Sequence, residues 1–424
     1  MRRKKQVAND CKIPLYQIVL EYMAVILVVL DGNSVYRHNI NQNYHFALLA
    51  DIVLLALLLI ISKGKLNRRN LSIVVLIECW CLLYFVVMNS KIDNENYIAL
   101  FLIGLPILYL LFAVYYKKGN QFALLYRIET IVVFFAIISL ILWLLGSVFG
   151  IASPNSQVLI NWGKEKWVNG YFGLQFETAY DTTFGIPLYR NSGIFTEAPM
   201  FNLWLDIALA IELFLKEKRS KLKIIILVTT ILSTFSSTGL VFIATCVSLK
   251  YFHNLRELSK QKKIVLFVAG MLAVPVGIML IKKLIETKSN TLSFLIRLQD
   301  YTAGFTVWKA NPILGSGFGN LSALYPYTYA TLHGIKDTGY SNSLLGLLAT
   351  GGIWISLLFV LGFVGMITCK QYKGLKVQAF AICYLLLFIL TIYFARYISI
   401  FFVALGLLWF IETYNIRVIR DNSF

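Results

Sequence analysis

Apolar stretches long enough to cross a bilayer recur along the whole chain. A membrane-spanning helix needs about 20 consecutive, mostly apolar residues. On this criterion the chain is predicted to span the membrane near residues 14–31, 45–62, 71–89, 98–116, 123–146, 198–215, 264–281, 341–367, 379–393 and 397–414. The composition agrees, because 58% of the residues are hydrophobic, only 14% are charged and the mean hydropathy is +0.71. The pattern predicts an all-α, polytopic integral membrane protein with a single membrane domain over residues 1–424.

Residues 224–250 form a further apolar stretch, which the charge pattern predicts to be two helices. A single crossing would place Lys260 and the later cluster around Lys370 outside, whereas a hairpin keeps both inside. Each arm would be roughly 20 Å long, which is shorter than the roughly 30 Å hydrocarbon core. The tip, residues 233–239, is therefore predicted to border a hydrated cavity open to the outside. With this short hairpin pair the total is about twelve transmembrane helices.

The distribution of Lys and Arg predicts that the N- and C-termini are both cytoplasmic. A basic run at residues 2–5 precedes the first span, and basic clusters at 216–223 and 370–376 fall on the same side. The net charge of +18 is thus explained by the positive-inside rule, and no nucleic-acid partner is expected. No cleavable signal peptide is apparent, and none of the six cysteines falls in a predicted outer loop, so no disulfide framework is expected.

Two predicted outer loops are long, at about 147–197 and 282–340, and both are expected to carry short helices. Aromatic residues with polar tips are frequent in both loops and suit either a membrane interface or the faces of sugar rings. In the second loop, residues 291–309 are predicted to form an amphipathic helix that presents Arg297, Tyr301 and Trp308 in one stripe. The glycines at 315, 317 and 319 either present N–H groups to a phosphate or only form a turn.

A charged cluster at Arg190–Pro199 closes the first long loop and opens the span at 198–215. It brings a strong cation, a flexible turn and the carboxylate of Glu197 to the mouth of a membrane helix. Such a cluster suits a charged, lipid-carried substrate. Four residues apart on the helix that follows, Asn202 and Asp206 either line the same cavity or pair within the fold.

These residues resemble a known family. Arg190-x-Ser192-Gly193-x-Phe195-x-Glu197-x-Pro199, opening a span after a long outer loop, looks like the bacterial O-antigen and capsular polysaccharide polymerases of the Wzy type. The hairpin tip at 236–239, the run from Arg297 through Trp308 to Gly317, and Asn342-Ser343-Leu344-Leu345 before Gly351-Gly352 are similar to its C-terminal half. The resemblance covers about residues 185–360, and O-antigen ligases share the architecture.

The resemblance implies that undecaprenyl-diphosphate-linked repeat units are polymerised on the outer face of the bacterial cytoplasmic membrane. A glycan on undecaprenyl diphosphate would be transferred to a sugar hydroxyl of another lipid-linked glycan to build capsule, O-antigen or exopolysaccharide. This metal-independent glycosyltransferase reaction needs no cofactor. Its partners would be lipid-linked glycans and membrane lipids, with a chain-length regulator and a flippase as further candidates. Many members carry His immediately before the Asn matched by Asn342, where this chain has Ser341.

Candidate roles follow from the chemistry of a diphosphate leaving group. Arg190 and Arg297 are predicted to bind the donor diphosphate, because guanidinium groups bind phosphate in a bidentate manner and keep their charge. Lys282 and Lys283 would attract the headgroup. Glu197 or His333 is predicted to be the general base, and Asp300 and Asp337 remain alternatives. Candidate cavity-lining residues are Asn202, Asp206, Ser236, Ser237, Trp308, Tyr301 and Asn342.

Other functions remain open from the sequence. A flippase for lipid-linked oligosaccharide fits the number of spans and the buried acids, although it predicts an internal repeat that the chain does not show. O-antigen ligase-type transfer fits the shared architecture. A different membrane glycosyltransferase would use Asp31, just after the first span, as its base. A non-enzymatic assembly scaffold would not need the cluster of Arg and Glu.

Overall fold

The computed structural model describes residues 14–41, 45–62, 64, 66–181, 188–257, 292–334, 340–369 and 376–421. The predicted span at 264–281, Lys282, Lys283 and Asp337 lie outside the described residues. Within the described residues the main helices are α1 (Leu15–Asp31), α2 (Val35–His38), α3 (His45–Ile61), α4 (Arg68–Met88), α5 (Asn94–Tyr97), α6 (Leu105–Lys117), α7 (Ala123–Trp143), α8 (Ala198–Ala210), α9 (Lys221–Ser233), α10 (Ser237–Glu257), α11 (Leu292–Ala310), α12 (Tyr329–Leu332), α13 (Ser343–Thr368), α14 (Lys376–Leu390) and α15 (Tyr397–Asp421).

The chain is a mostly helical membrane protein. Six helices of the described residues are long and apolar enough to cross a membrane, and three shorter apolar helices accompany them. Wider π-helical turns extend α7 and α8 to Val148 and Leu215 and precede α6. Helices α3, α4 and α7 expose many large apolar side chains, as expected where a helix faces lipid. The prediction of about twelve spans stays a prediction.

The stretch at 224–250 forms two helices, as the charge pattern predicted. Helix α9 ends at Ser233, α10 begins at Ser237, and Phe235 between them has a positive φ of 48°. The two helices approach closely after this break, because a methyl group added at Gly239 would meet the side chain of Ile231. We call the segment Thr234–Gly239 the helix break.

The first long loop is built from strands and not from the short helices that the sequence predicted. Strands β1 (Ser156–Trp162) and β2 (Lys164–Tyr171) form an antiparallel hairpin in which Ser156 pairs with Gly170, and β3 (Gln175–Glu177) adds to β2. A two-stranded ribbon follows, with β4 (Tyr180–Asp181) paired to β5 (Leu188–Tyr189). The alternating apolar residues of β1 pack on a small core of Val35, Val168 and Phe176, which explains why this loop adopts a strand period.

Helices α13 and α15 pack closely because both carry glycines where they cross. A methyl group added at Gly365 would overlap the carbonyl oxygen of Gly406, and one added at Gly406 would overlap that of Gly362. Small residues at such crossings allow close backbone approach between helices in membranes. These two helices, together with α6, α8 and α14, enclose much of the buried core.

Candidate functional site

A cavity of about 450 Å³ lies where the start of α8, the first half of α11 and the residues just before α13 meet. We call it the first cavity. Its polar lining comes from segments far apart in the sequence, including Arg190, Glu197, Arg297, Asp300 and Ser341. Apolar residues such as Met200, Ile296 and Ile392 complete its wall. A cavity of this size with a few converging charged groups in an apolar wall is typical of a ligand-binding site.

Both predicted arginines line the first cavity, and the same helix break holds them. The Nε of Arg190 donates to the carbonyl oxygen of Thr234 at 2.8 Å. The Nη1 of Arg297 donates to the Oγ1 of Thr238, four residues further along, at 3.4 Å. Bonds from one short segment therefore position two guanidinium groups from different parts of the chain. The structure thus brings together the two residues that the sequence predicted to bind one diphosphate.

Glu197 lies at the start of α8 and also faces the first cavity. Its backbone is extended, with φ −153° and ψ 154°, and Pro199 follows in the first turn. The side chain makes no capping hydrogen bond to its helix, so the structural role that a carboxylate often has at this position is not used. Within the described part of the chain its carboxylate has no hydrogen-bond partner. It is therefore available to a ligand in the cavity.

Asp300 forms a fixed pair with Ser341 on the wall of the first cavity. Its Oδ2 accepts hydrogen bonds from the backbone N–H of Ser341 at 2.9 Å and from the Ser341 hydroxyl at 2.6 Å. The hydroxyl of Tyr340 donates to the backbone oxygen of Asp300 at 3.0 Å, and burial raises the pKa of that tyrosine. Ser341, the residue before Asn342, therefore orients a carboxylate in this chain.

Several predicted lining residues lie behind the cavity wall and not on it. Asn202 and Asp206 are fully buried and bonded to each other, with Nδ2 donating to Oδ2 at 2.6 Å. The Oδ1 of Asn202 also accepts from the Thr234 hydroxyl at 3.5 Å, so the pair supports the helix break from behind. Ser236 and Ser237 belong to that break, but neither is among the described residues that line the cavity.

The predicted stripe of α11 contributes only Arg297 to the first cavity. Trp308 is 11 residues further along the helix, about 16 Å at the usual rise, and its Nε1 donates to the Pro312 oxygen at 3.2 Å. Tyr301 is 38% exposed, and its hydroxyl donates to the Ile389 oxygen at 3.3 Å. Neither aromatic side chain is among the described residues that line the first cavity, so their role as lining residues stays a prediction without support there.

His333 and Asn342 also have local structural contacts. His333 is exposed just after α12, stacks on Tyr329 with ring centroids 3.9 Å apart, and is not among the described lining residues. This placement gives no support to its role as a base, which stays a prediction. Asn342 is buried and caps α13, because its Oδ1 accepts from the Leu345 N–H at 2.8 Å and its Nδ2 donates to the Ile389 oxygen at 2.8 Å.

The glycine-rich turn after α11 packs against α13. Gly315, Gly317 and Gly319 all have positive φ, of 71°, 108° and 81°. The N–H groups of Gly315 and Gly317 donate to the Asn311 and Thr350 oxygens, both at 2.9 Å. These groups are consequently engaged within the protein, and the second interpretation of the sequence, a turn without a phosphate, is the one that the structure supports.

A second cavity of about 500 Å³ adjoins the first, and the sequence analysis did not identify it. The two share Trp162, Gly163, Tyr340 and Ile392 in their walls. Its further polar lining includes Asn33, Arg37, His38, Asp93 and Arg396. The run of polar residues just after α1 could have indicated this cavity. Its lining also includes Arg396, which is more than 350 residues away in the sequence, so the sequence alone did not show that these residues meet.

Ion pairs engage some of the acids outside the first cavity. Asp31 is bonded to Arg37 and accepts from the Tyr397 N–H at 2.9 Å, and it lines neither cavity. It is thus a positioning group, which counts against the alternative in which Asp31 is the base. Glu21 pairs with Arg127 at 3.0 Å. Among the described residues no group of three or more His, Cys, Asp or Glu could hold a metal ion.

Residues 222–355 match the protein-family model described as O-antigen ligase. This match makes residues 222–355 of the chain similar to that family. The matched region contains the helix break, Arg297, Asp300 and Ser341, whereas Arg190 and Glu197 precede it. Arg190 and Glu197 lie outside the matched residues but line the first cavity together with Arg297 and Asp300. No curated protein matches the chain.

Proposed function

We propose that this protein polymerises undecaprenyl-diphosphate-linked oligosaccharide repeat units on the outer face of the bacterial cytoplasmic membrane. The observation that carries the proposal is the placement of Arg190 and Arg297 in one cavity, each hydrogen-bonded to the same helix break. The family match supports glycosyl transfer at the membrane in general. The product would be a capsular, O-antigen or exopolysaccharide chain.

The two arginines would stabilise the departing diphosphate. Negative charge grows on the bridging oxygen as the bond between the anomeric carbon and the diphosphate breaks. Fixed cations at that position lower the barrier without having to reorganise during the reaction. The apolar residues of the same wall, such as Ile296 and Met200, suit the first isoprene units of the carrier.

Glu197 would act as the general base. Its carboxylate takes the proton of the attacking sugar hydroxyl while the hydroxyl oxygen bonds to the anomeric carbon, and undecaprenyl diphosphate leaves. Asp300 is the less suitable base, because its Oδ2 already accepts two hydrogen bonds from Ser341. The Asp300–Ser341 pair would instead accept a hydrogen bond from the sugar and orient it.

Complementation of a strain that lacks its own polymerase tests the proposal. The wild-type chain should restore long glycans, whereas Arg190→Ala, Arg297→Ala and Glu197→Gln should leave single repeats on the carrier. His333→Ala is the matched control, because this exposed histidine is not among the described residues that line the first cavity. Long chains from both arginine variants would refute the diphosphate role, and accumulation of lipid-linked repeats on the inner face would favour a flippase.

Ligase-type transfer is the second candidate, favoured by the match of residues 222–355 to the O-antigen ligase family model. The same first cavity would then hold the donor, and the acceptor would be a different lipid-anchored glycan. The complementation strain separates the two functions, because a ligase leaves the length of the glycan unchanged while a polymerase increases it.

A further inference from the structure

The second cavity lies next to the proposed reaction site and is divided from it by a thin wall. The tip of the β1–β2 hairpin, Trp162-Gly163, forms part of this wall, and Tyr340 and Ile392 complete it. Gly163 has a positive φ of 70°, which permits the tight turn that places the Trp162 ring there. A ligand in the second cavity would therefore be directly adjacent to one in the first.

The charges of the second cavity are compensated. Arg37 forms an ion pair with Asp31, and the Nε of Arg396 donates to the Oδ1 of Asn33 at 2.9 Å. Asp93 adds a carboxylate to the rim. His38 is uncharged at neutral pH, because burial and then the nearby arginines lower its pKa to about 3. Two cations and two anions thus leave no net positive charge that would select a diphosphate.

The remaining lining has the chemistry of a saccharide site. Asn96 and Asn161 offer amide donors and acceptors, Tyr325 offers a ring with a hydroxyl, and Trp162 offers a large aromatic face. The Trp162 ring meets the His38 ring edge-on, with centroids 4.8 Å apart, so its orientation is fixed. Sugar rings have polar edges and apolar faces, and this arrangement of amides and aromatic rings matches both.

We propose that the second cavity binds the uncharged sugar rings of the acceptor glycan, with its reacting hydroxyl directed past Trp162 toward Glu197 in the first cavity. The proposal rests on the proposed glycosyl transfer, since it assigns the acceptor to a place in that reaction. It divides the two substrates by chemistry: the arginine-lined first cavity receives the donor diphosphate, and the second receives sugar.

The test uses a probe that only a sugar site can bind. Repeat-unit oligosaccharide, released from the strain's own polysaccharide and labelled at its reducing end with a fluorophore, has no lipid and no diphosphate. Its binding to the full-length protein in nanodiscs is measured by fluorescence anisotropy, and its extension is followed with lipid-linked repeat unit as donor.

Tyr325→Ala and Asn161→Ala should each weaken binding of the oligosaccharide by about tenfold and raise its KM similarly, as expected for loss of one hydrogen-bonding or stacking group. The KM for the lipid-linked donor should stay unchanged. Two matched controls should behave as wild type. Tyr327→Ala removes an exposed tyrosine from the same short turn, and Gln157→Ala removes an exposed amide four residues earlier on β1.

The outcomes separate this proposal from the proposed function. If the wild type polymerises in cells but the oligosaccharide does not bind, or binds equally to all variants, the second cavity is not the acceptor site. If the oligosaccharide binds and the cavity variants weaken this binding while no polymer forms, the second cavity is a sugar site and the proposed polymerase function is wrong. Binding that weakens strongly with added salt would also overturn the proposal, because uncharged rings are not screened.

Discussion

Replacing Arg297 and Thr238 separately distinguishes the proposed role of Arg297 on the diphosphate from its hydrogen bond to Thr238. Arg297→Ala removes the guanidinium from the first cavity and also removes the bond to Thr238. Thr238→Val removes only that bond, because valine keeps the shape of the threonine side chain but has no hydroxyl. The two variants therefore form a matched pair in which one loses the cation and the other loses only its anchor.

The two losses differ strongly in size. The bond to Thr238 is long, at 3.4 Å, and a bond of this kind contributes at most about 1 kcal/mol, or about fivefold. A group that stabilises charge in the transition state contributes about 2.7–4 kcal/mol, which corresponds to about 100- to 1,000-fold in rate. Arg297→Lys should fall between these limits, because it keeps the charge and loses the planar fork.

The assay measures kcat/KM for the lipid-linked donor with the purified protein, together with its melting temperature in nanodiscs. Arg297→Ala should lose about 100-fold or more with little change in melting temperature, and Thr238→Val about fivefold or less. Combined with Arg190→Ala, the loss should be smaller than the product of the single losses, because both groups would bind one diphosphate. Equal losses in Arg297→Ala and Thr238→Val would refute the reasoning.

Three further results are expected. Ser341→Ala removes the 2.6 Å bond to Asp300, so we expect a loss of about 10- to 100-fold in kcat, measured at saturating donor and acceptor. Gly365→Ala should lower the melting temperature, because the new methyl group would force apart the backbones of α13 and α15 at Gly406, at a cost of at least about 2 kcal/mol. The pKa of His38 is lowered to about 3 in the folded protein, so between about pH 6.5 and pH 3 only the unfolded chain binds a proton at this residue. The free energy of unfolding, followed by thermal melts, should therefore fall by about 1.4 kcal/mol for each unit by which the pH is lowered in this range.

Each of these has a control and an outcome that would contradict it. Ser341→Thr keeps a hydroxyl and should retain most activity, so equal loss in both variants would argue against the bond to Asp300. Val360→Ala changes an exposed residue of α13 and should leave the melting temperature near that of wild type. His38→Gln should have a weaker dependence of melting temperature on pH, and an unchanged dependence would show that another group is responsible.

The long apolar stretches of the sequence were sufficient to predict most of the described helices. Predicted spans and observed helices agree within a few residues for α1, α3 and α13, because burial in lipid requires long apolar runs that are visible in any sequence. The break between α9 and α10 was also predicted, since two crossings keep the basic residues on both sides of the stretch inside. The strands β1–β3 were missed, because their alternating pattern is short and weak beside the membrane helices.

The candidate site was only partly predictable. Arg190, Glu197 and Arg297 were identified because charges are rare and costly at the mouths of apolar helices. Trp308 shares a helical face with Arg297 but lies about 16 Å further along the axis of α11, so a shared face alone did not bring it to the first cavity. His333 was selected by residue type alone, and it lies on the surface, stacked on Tyr329.

The sequence by itself determined the membrane-embedded helices and the two arginines, because hydrophobicity and charge act on each residue locally. Tertiary structure alone decided which of these groups meet. Thr234 and Thr238 hold both guanidinium groups, Ser341 holds Asp300, and Arg396 meets Asn33 across most of the chain. The physical reason is that a hydrogen bond of about 3 Å depends on how distant helices pack, and no local pattern of residues specifies that packing.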